Sequence, residues 1–407
     1  MGLVTCLGTS VSTTWSALLE RRSGIGPIRC FVPEPSFPSR IAGEIQDVPA
    51  CPDLTAREAK RTERFVLLAL IAGRQAMAAA RLEVGRALPH CRVGVCVGSG
   101  IGGMQAMEQE HRTLLHRGHH RVGPFFVPRL ICNMAAGRLS IALGAQGPNL
   151  APATACAAGA HAIGEGLRLI QHGYADAVVA GGTEAAITPL CLAGFVAMRS
   201  TSTHRNDSPA SASRPFDRRR DGFVIAEGAG MVVLEAEELA KQRGAEIVCE
   251  LAGYGASSDA TDIVAPHPAG HGAELAMRGA LADAALGADQ IAYVNAHATA
   301  TVDGDLAELR ALERVFGARS TPVWVGATKS MTGHALGASG AIEAAITALA
   351  VARGTIPPAL NLEEPEATEG ILLVQNEVMK APVRAAISNS FGFGGTNAAL
   401  VLREWRD

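Results

Sequence analysis

No Cys-x-x-Cys pair occurs in this chain, although it holds nine cysteines. The missing spacing and the odd number argue against both a zinc site and a disulfide framework, and a reducing compartment is the simplest setting. No uninterrupted apolar run reaches membrane-spanning length. The opening stretch MGLVTCLGTSVSTTW carries no positive segment, and Thr, Ser and Gly break its apolar pattern, so it does not read as a secretory signal. Cys6 stands where a myristoylation pattern wants Ser or Thr. No Pro/Ser-rich linker divides the 407 residues. Neither sign of charge dominates: a net charge of −3 argues against a nucleic-acid binder, whose domains are strongly basic. With 48% hydrophobic residues the chain can bury an ample globular core.

What is present centres on residues 154–160, TACAAGA, a cysteine among very small residues. A turn signal, Gly147-Pro148-Asn149, precedes it, and residues 159–170 follow with helical apolar spacing. Cys156 is therefore expected at a helix start, where the dipole and free N–H groups favour a thiolate and small neighbours admit a substrate carbonyl. A lone cysteine is more often a small core residue. Two downstream stretches change that balance: His297 in VNAHATAT and His334 in KSMTGHALG, each after an apolar strand-like run. A nucleophile plus two histidines in loops rich in Gly and Thr suits thioester chemistry, which needs donors for a developing oxyanion.

TACAAGA, NAHATAT, KSMTGHALGASGAIEA and NSFGFGGTNAALV, in this order, resemble the signature stretches of the β-ketoacyl-acyl-carrier-protein (ACP) synthases, the elongating type with a Cys-His-His triad. The similarity runs through nearly the whole chain, including PFFVPRLICNMAAGRLS and SRPFDRRRDGFVIAEGAG. It implies a thiolase-like α/β fold of five αβαβα layers, in which Cys156 is nucleophile and His297 and His334 are donors to a malonyl-derived enolate. It implies decarboxylative condensation of acyl-ACP with malonyl-ACP to 3-oxoacyl-ACP in fatty acid elongation, with no metal and no redox cofactor. Lys329 becomes the partner of Glu343 and organises His334. Thr299 and Thr301 hold the phosphopantetheine arm, and the Phe393 and Cys156 amides form an oxyanion hole. Ile101 lies in the acyl pocket, and Phe195, Phe391 and Phe393 belong to its gate. Arg57, Lys60, Arg61, Arg121 and Arg199 fall where the acidic helix of ACP docks.

An internal repeat supports that architecture. Residues 177–180 and 228–235 in the first half, and 291–295 and 395–402 in the second, read as matching strands of two β/α units that bury their sheets back to back. The halves are 1–245, with the cysteine, and 246–407, with both histidines. The second begins with a strand at 247–251 running into GYGAS, whose counterpart starts only at Gly2, so the first half is expected to lack its first strand and to be less stable for it.

Between residues 55 and 80 a helical pattern places Arg57, Lys60, Arg61 and Arg64 on one stripe, a solvated face or a dock for an acidic partner. The run GSGIGG after the strand at 93–97 does not match GxGxxG, so its glycines read as close packing rather than a phosphate cradle. His111, His116, His119 and His120 lack regular spacing and partner carboxylates, which argues against metal. Ala298 stands where the family usually has glycine, and Val302-Asp303 replaces a proline-containing pair; both bear on substrate preference.

Three other readings stand beside this one. A thiolase wants a second reactive cysteine near the C-terminus, and none follows Cys249. A non-catalytic partner subunit lacks the nucleophile. A polyketide-pathway ketosynthase stays open, as do chain length and compartment, a bacterial cytoplasm or a mitochondrial matrix. A homodimer with ACP as partner is expected.

Overall fold

The computed structural model describes residues 1–59 and 61–406. Two sheets carry the architecture. The first contains β1 (Gly2–Thr5), β2 (Val93–Gly98), β3 (Asn149–Leu150), β4 (Ala177–Glu184) and β5 (Gly228–Glu235), in the order β1-β5-β4-β2-β3. The second contains β6 (Glu250–Ser258), β7 (Tyr293–Asn295), β8 (Val323–Gly326), β9 (Ile371–Leu373), β10 (Ala385–Gly392) and β11 (Thr396–Arg403), in the order β6-β11-β10-β7-β8-β9. Each order begins with two antiparallel pairs and continues with parallel ones, so the halves are copies and β9 is an addition. By this pairing the counterpart of β4 is β10 and that of β2 is β7, not the 177–180 with 291–295 match expected from sequence. Short apolar runs look alike, and only their partners tell them apart.

Alternation along the strands builds the layers. Val178 and Ala180 face the central layer, while Ala177 and Val179 face outward under helices α1 (Arg64–Ala80) and α2 (Met134–Leu143). Leu400 and Leu402 likewise face the centre, and Ala399 and Val401 face α4 (His271–Asp283) and α5 (Val302–Phe316). Between the sheets lie α3 (Ala158–Gln171) and α6 (Ser339–Arg353). Residues Leu336–Arg353 are apolar enough to cross a bilayer, but they are buried between the sheets as a core helix.

The two central helices touch at small residues. A Cβ on Gly159 would meet the Gly337 carbonyl oxygen at 2.8 Å, and one on Gly340 would meet the Ala160 amide at 2.9 Å. That approach explains the alanine and glycine content of both helix starts and draws the two preceding turns together.

Two expectations are corrected. The first half does have its first strand: β1 pairs with β5 from Gly2 opposite Met231 to Thr5 opposite Gly228. It covers only the first half of β5, whereas β6 runs the length of β11, with a bulge between Val401 and Leu402. The basic stripe is not on one helix either. A short helix ends at Ala59 and α1 begins at Arg64, whose guanidinium is fixed on Glu227 at 2.6 Å. Lys60 lies outside the described residues.

Candidate active site

The turn that leads into α3 is strained: Ala155 has φ +48° and opens a single 3-10 turn, Ala155–Ala157, that runs into the helix. The turn into α6 repeats it, with Leu336 at φ +47° and a 3-10 turn at Leu336–Ala338. Left-handed backbone costs a non-glycine residue roughly 1–2 kcal/mol, so the coincidence marks a shared structural element. Cys156 is the second residue of the first turn, and Gly337 holds that place in the second.

His334 stands two residues before the second strained turn. Its own N–H donates to the Val224 carbonyl at 2.8 Å and its carbonyl accepts from the Ala226 N–H at 2.9 Å, which clamps the backbone. The ring then reaches Cys156, with Nε2 3.1 Å from Sγ and Nδ1 3.0 Å from the Ser339 hydroxyl. Ser339 was not picked out from the sequence; it lies on the first turn of α6, five residues after the histidine.

His297 follows β7 in a loop with two alanines at positive φ, Ala298 (+25°) and Ala300 (+70°). Carboxylates of α5 hold that loop: Glu308 accepts from the N–H groups of His297 (2.9 Å) and Ala298 (2.7 Å), and Asp305 from that of Ala300 (3.0 Å). Glu308 and Asp305 also escaped the sequence reading, for which they were ordinary charges on an amphipathic helix. The imidazoles of His297 and His334 stand edge to face with centroids 5.3 Å apart.

Lys329 and Glu343 form a buried pair, with Nζ 2.6 and 2.7 Å from the two carboxylate oxygens. The expectation that Lys329 organises His334 is corrected, because its ammonium lies 3.4 Å from Nδ1 of His297, while Ser339 holds His334. An ammonium only donates, so this contact leaves the proton of neutral His297 on Nε2. The Ser339 hydroxyl can either donate to Nδ1 of His334 or accept from it, so Nε2 of His334 can carry a proton or take one up.

Burial dominates the electrostatics. It pushes the Cys156 thiol up to about 12, opposed by the charge of Lys329 and by the Phe393 and Cys156 amides directed at the sulfur. The thiolate expected from the helix start is therefore not the resting state; the helix terminus is outweighed by desolvation. Burial, then the positive charge of Lys329, hold both imidazoles well below their ordinary value. Burial raises Asp305 to about 7 against the pull of Arg220, and raises Glu343 against that of Lys329. The site is thus a neutral thiol between two neutral imidazoles. Their donor atoms lie within 4.8 Å of one another, but the ammonium beside His297 opposes a cation there.

A cavity of about 280 Å³ opens onto these groups. Thr299, Thr301, Phe195, Phe391, Phe393 and Arg199 line it with Cys156 and both histidines. The two threonine hydroxyls are 3.1 Å apart. Phe391 packs on His297 at 5.8 Å, and Phe223, unremarked in the sequence, stands between Phe195 (5.1 Å) and His334 (5.4 Å). Ile101 does not line this cavity, but packs, as Phe195 does, on the cluster that holds Cys156. Arg57, Arg61 and Arg121 are exposed and outside the cavity, and Arg199 is exposed at its edge. Gly392 lets the backbone pass the nucleophile, since a Cβ there would lie 3.1 Å from the Cys156 amide nitrogen. Chemically the arrangement offers a sulfur nucleophile, two backbone N–H donors aimed at it and two imidazole donors opposite.

Comparison with known proteins agrees with this geometry. Residues 1–240 match the family model "Beta-ketoacyl synthase, N-terminal domain", and residues 248–363 match "Beta-ketoacyl synthase, C-terminal domain". The 3-oxoacyl-[acyl-carrier-protein] synthase 2 of Vibrio harveyi is 46% identical over 405 residues, 99% of this chain and 97% of that protein. The protein of the same name from Synechocystis is 45% identical over 406 residues, 100% of this chain and 97% of its own length. Among solved structures, a beta-ketoacyl synthase from Burkholderia phymatum superposes with a TM-score of 0.90 at 32% identity, covering 100% of this chain and 98% of its own. A type II polyketide ketosynthase, solved with its acyl-carrier protein and bound to the hexaketide, gives 0.91 at 28%, with the same coverage.

Proposed function

We infer the reaction from one premise: this chain belongs to the β-ketoacyl synthase family. It is an acyltransferase, a 3-oxoacyl-ACP synthase of fatty acid chain elongation; the relatives so named are about 45% identical, against 28% for the polyketide ketosynthase. The observation that carries the residue roles is the placement of Cys156 Sγ against His334 Nε2, with the Phe393 and Cys156 amides directed at the same sulfur.

In the first half-reaction Cys156 attacks the thioester of acyl-ACP. His334 Nε2 takes part in moving the thiol proton, which ends on the departing pantetheine sulfur, and the two amides stabilise the tetrahedral oxyanion. In the second, malonyl-ACP loses carbon dioxide, and the negative charge of its carboxylate passes to an enolate oxygen. His297 donates to that oxygen from Nε2, the tautomer that the Lys329 ammonium enforces, and His334 donates from Nε2 while its Nδ1 accepts from the Ser339 hydroxyl, which can turn either way as the proton moves. The enolate carbon attacks the acyl-enzyme, the carbon–sulfur bond to Cys156 breaks, and the thiolate released regains a proton from solvent. Groups of this chain, its substrates and one proton from solvent complete each step, and none of them calls for a metal or redox cofactor.

Thr299 and Thr301 suit the amide groups of a phosphopantetheine arm, and exposed Arg57, Arg61, Arg121 and Arg199 suit an acidic carrier protein. Exposed Phe125, Val127, Ile131, Ile141 and Leu150 support a second copy as partner. Bacterial relatives support a bacterial cytoplasm as the setting. The test is mass spectrometry after incubation with acyl-ACP, followed by addition of malonyl-ACP. An acyl adduct on Cys156 that is discharged as 3-oxoacyl-ACP is expected, and absence of the adduct would overturn the reading.

A further inference from the structure

The glycine run after β2 does cradle an anion, and the anion belongs to the chain. Glu184, the last residue of β4, is fully buried. It accepts hydrogen bonds from the N–H groups of Gly100 (2.8 Å), Ile101 (3.2 Å) and Gly102 (3.2 Å), from the Ser99 hydroxyl (2.9 Å), and from the N–H of Gly337 in the other half (3.2 Å). Successive N–H groups converging on one point form an anion nest. All four backbone partners are donors, which suits a carboxylate and not a carboxylic acid, although burial works against the charge.

The position of this nest has meaning through the repeat. Gly337 is the counterpart of Cys156 in the second strained turn, and the Cys156 amide is one of the two proposed oxyanion donors. The Glu184 carboxylate therefore occupies, in the second half, the place where a copy of the reaction would put its oxyanion. A side chain is excluded there as well, since a Cβ on Gly337 would lie 2.4 Å from the Gly100 nitrogen and 2.8 Å from Glu184 Oε2.

We propose that Glu184 is a positioning residue, a resident anion in the second copy of the oxyanion hole. It ties the loop carrying Ile101 to the turn that follows His334, and so fixes how far Ile101 stands from the reacting sulfur. The inference rests on the ketosynthase reading, and on the packing of Ile101 against the cluster that holds Cys156. Glu184→Gln replaces one acceptor oxygen by an N–H₂ group facing N–H donors, which breaks the nest at nearly constant volume. Ser99→Ala removes a single donor and is the milder variant should Glu184→Gln not fold.

The experiment measures kcat/KM for acyl-ACP primers of increasing length with the full chain, alongside thermal midpoints. Glu184→Gln is expected to shift the ratio of long-primer to short-primer kcat/KM about tenfold, equivalent to ~1.4 kcal/mol, with a smaller shift of the same sign in Ser99→Ala. A uniform loss across all primers in both variants, following their loss of folded protein, would overturn the proposal and leave Glu184 merely structural. No condensation by the unmodified protein with any primer would instead sink the ketosynthase reading itself.

Discussion

His334 Nε2 lies 3.1 Å from Cys156 Sγ, although 178 residues separate the two in sequence. Both are buried, and this imidazole and that of His297, also within 4.8 Å of the sulfur, are neutral. We predict that Cys156→Ala abolishes both the acyl adduct and condensation. His297→Ala and His334→Ala together should block malonyl-ACP decarboxylation, each donor being worth about 10²–10³ in rate. Full decarboxylation by the double variant, followed by carbon dioxide release, would refute the assignment.

A second prediction concerns pH. In the unfolded chain the two histidines bind protons near pH 6.5, but in the fold they resist it, so their contribution to stability is lost as pH falls below ~6.5. Asp305 and Glu343 act in the opposite sense. Their folded values are raised, so their contribution is complete below about pH 4 and is lost as pH rises toward 7. Between about pH 4.3 and 6.5 the two effects oppose each other. The variant His297→Asn/His334→Asn keeps only the carboxyl effect, and its stability in denaturant titrations should fall with rising pH on the order of 1 kcal/mol per unit. A slope that rises, or one equal to that of the unmodified protein, would count against buried neutral histidines.

Surface charge gives a third. Arg57→Glu with Arg61→Glu should raise KM for acyl-ACP by about tenfold, while a small acyl-pantetheine surrogate is turned over as before, because exposed charge acts on encounter. Equal losses with both substrates would assign the two arginines to local structure.

The crossing of α3 and α6 gives a fourth. Gly159→Val should destabilise the protein by about 1–3 kcal/mol or more through overpacking, since the first added carbon already meets the Gly337 carbonyl oxygen at 2.8 Å. An unchanged thermal midpoint would show that the helices can part without cost.

The three groups that meet at the cavity were legible in the sequence because they stand in short stretches of unusual composition: a cysteine among alanines, histidines among threonines and glycines. The groups that orient them were not. Ser339, Glu308 and Glu184 look like ordinary residues at a helix start, on an amphipathic helix and at a strand end, and their partners lie 5, 11 and 84 residues away in the cases of His334, His297 and Gly100. The helix at 159–170 was readable from its period, appearing as Ala158–Gln171, whereas the break between Ala59 and Arg64 was not, because the basic spacing continues across it. The thiol was misjudged for a related reason: helix position can be read locally, but desolvation depends on what the other half of the chain lays over it.

That division of the site between halves also sets a schedule for the ribosome. Cys156 is made before His297, His334 and the Phe393 amide, and the last of these follows it by about 240 residues, roughly 12–48 s at about 5–20 residues per second. Throughout that interval α3 has no α6 against its Gly159 face, and the sulfur has neither the His334 imidazole nor the Phe393 amide beside it. On the proposed mechanism a nascent chain therefore cannot hold an acyl group productively, and the chemistry would begin only when the second half has closed over the first.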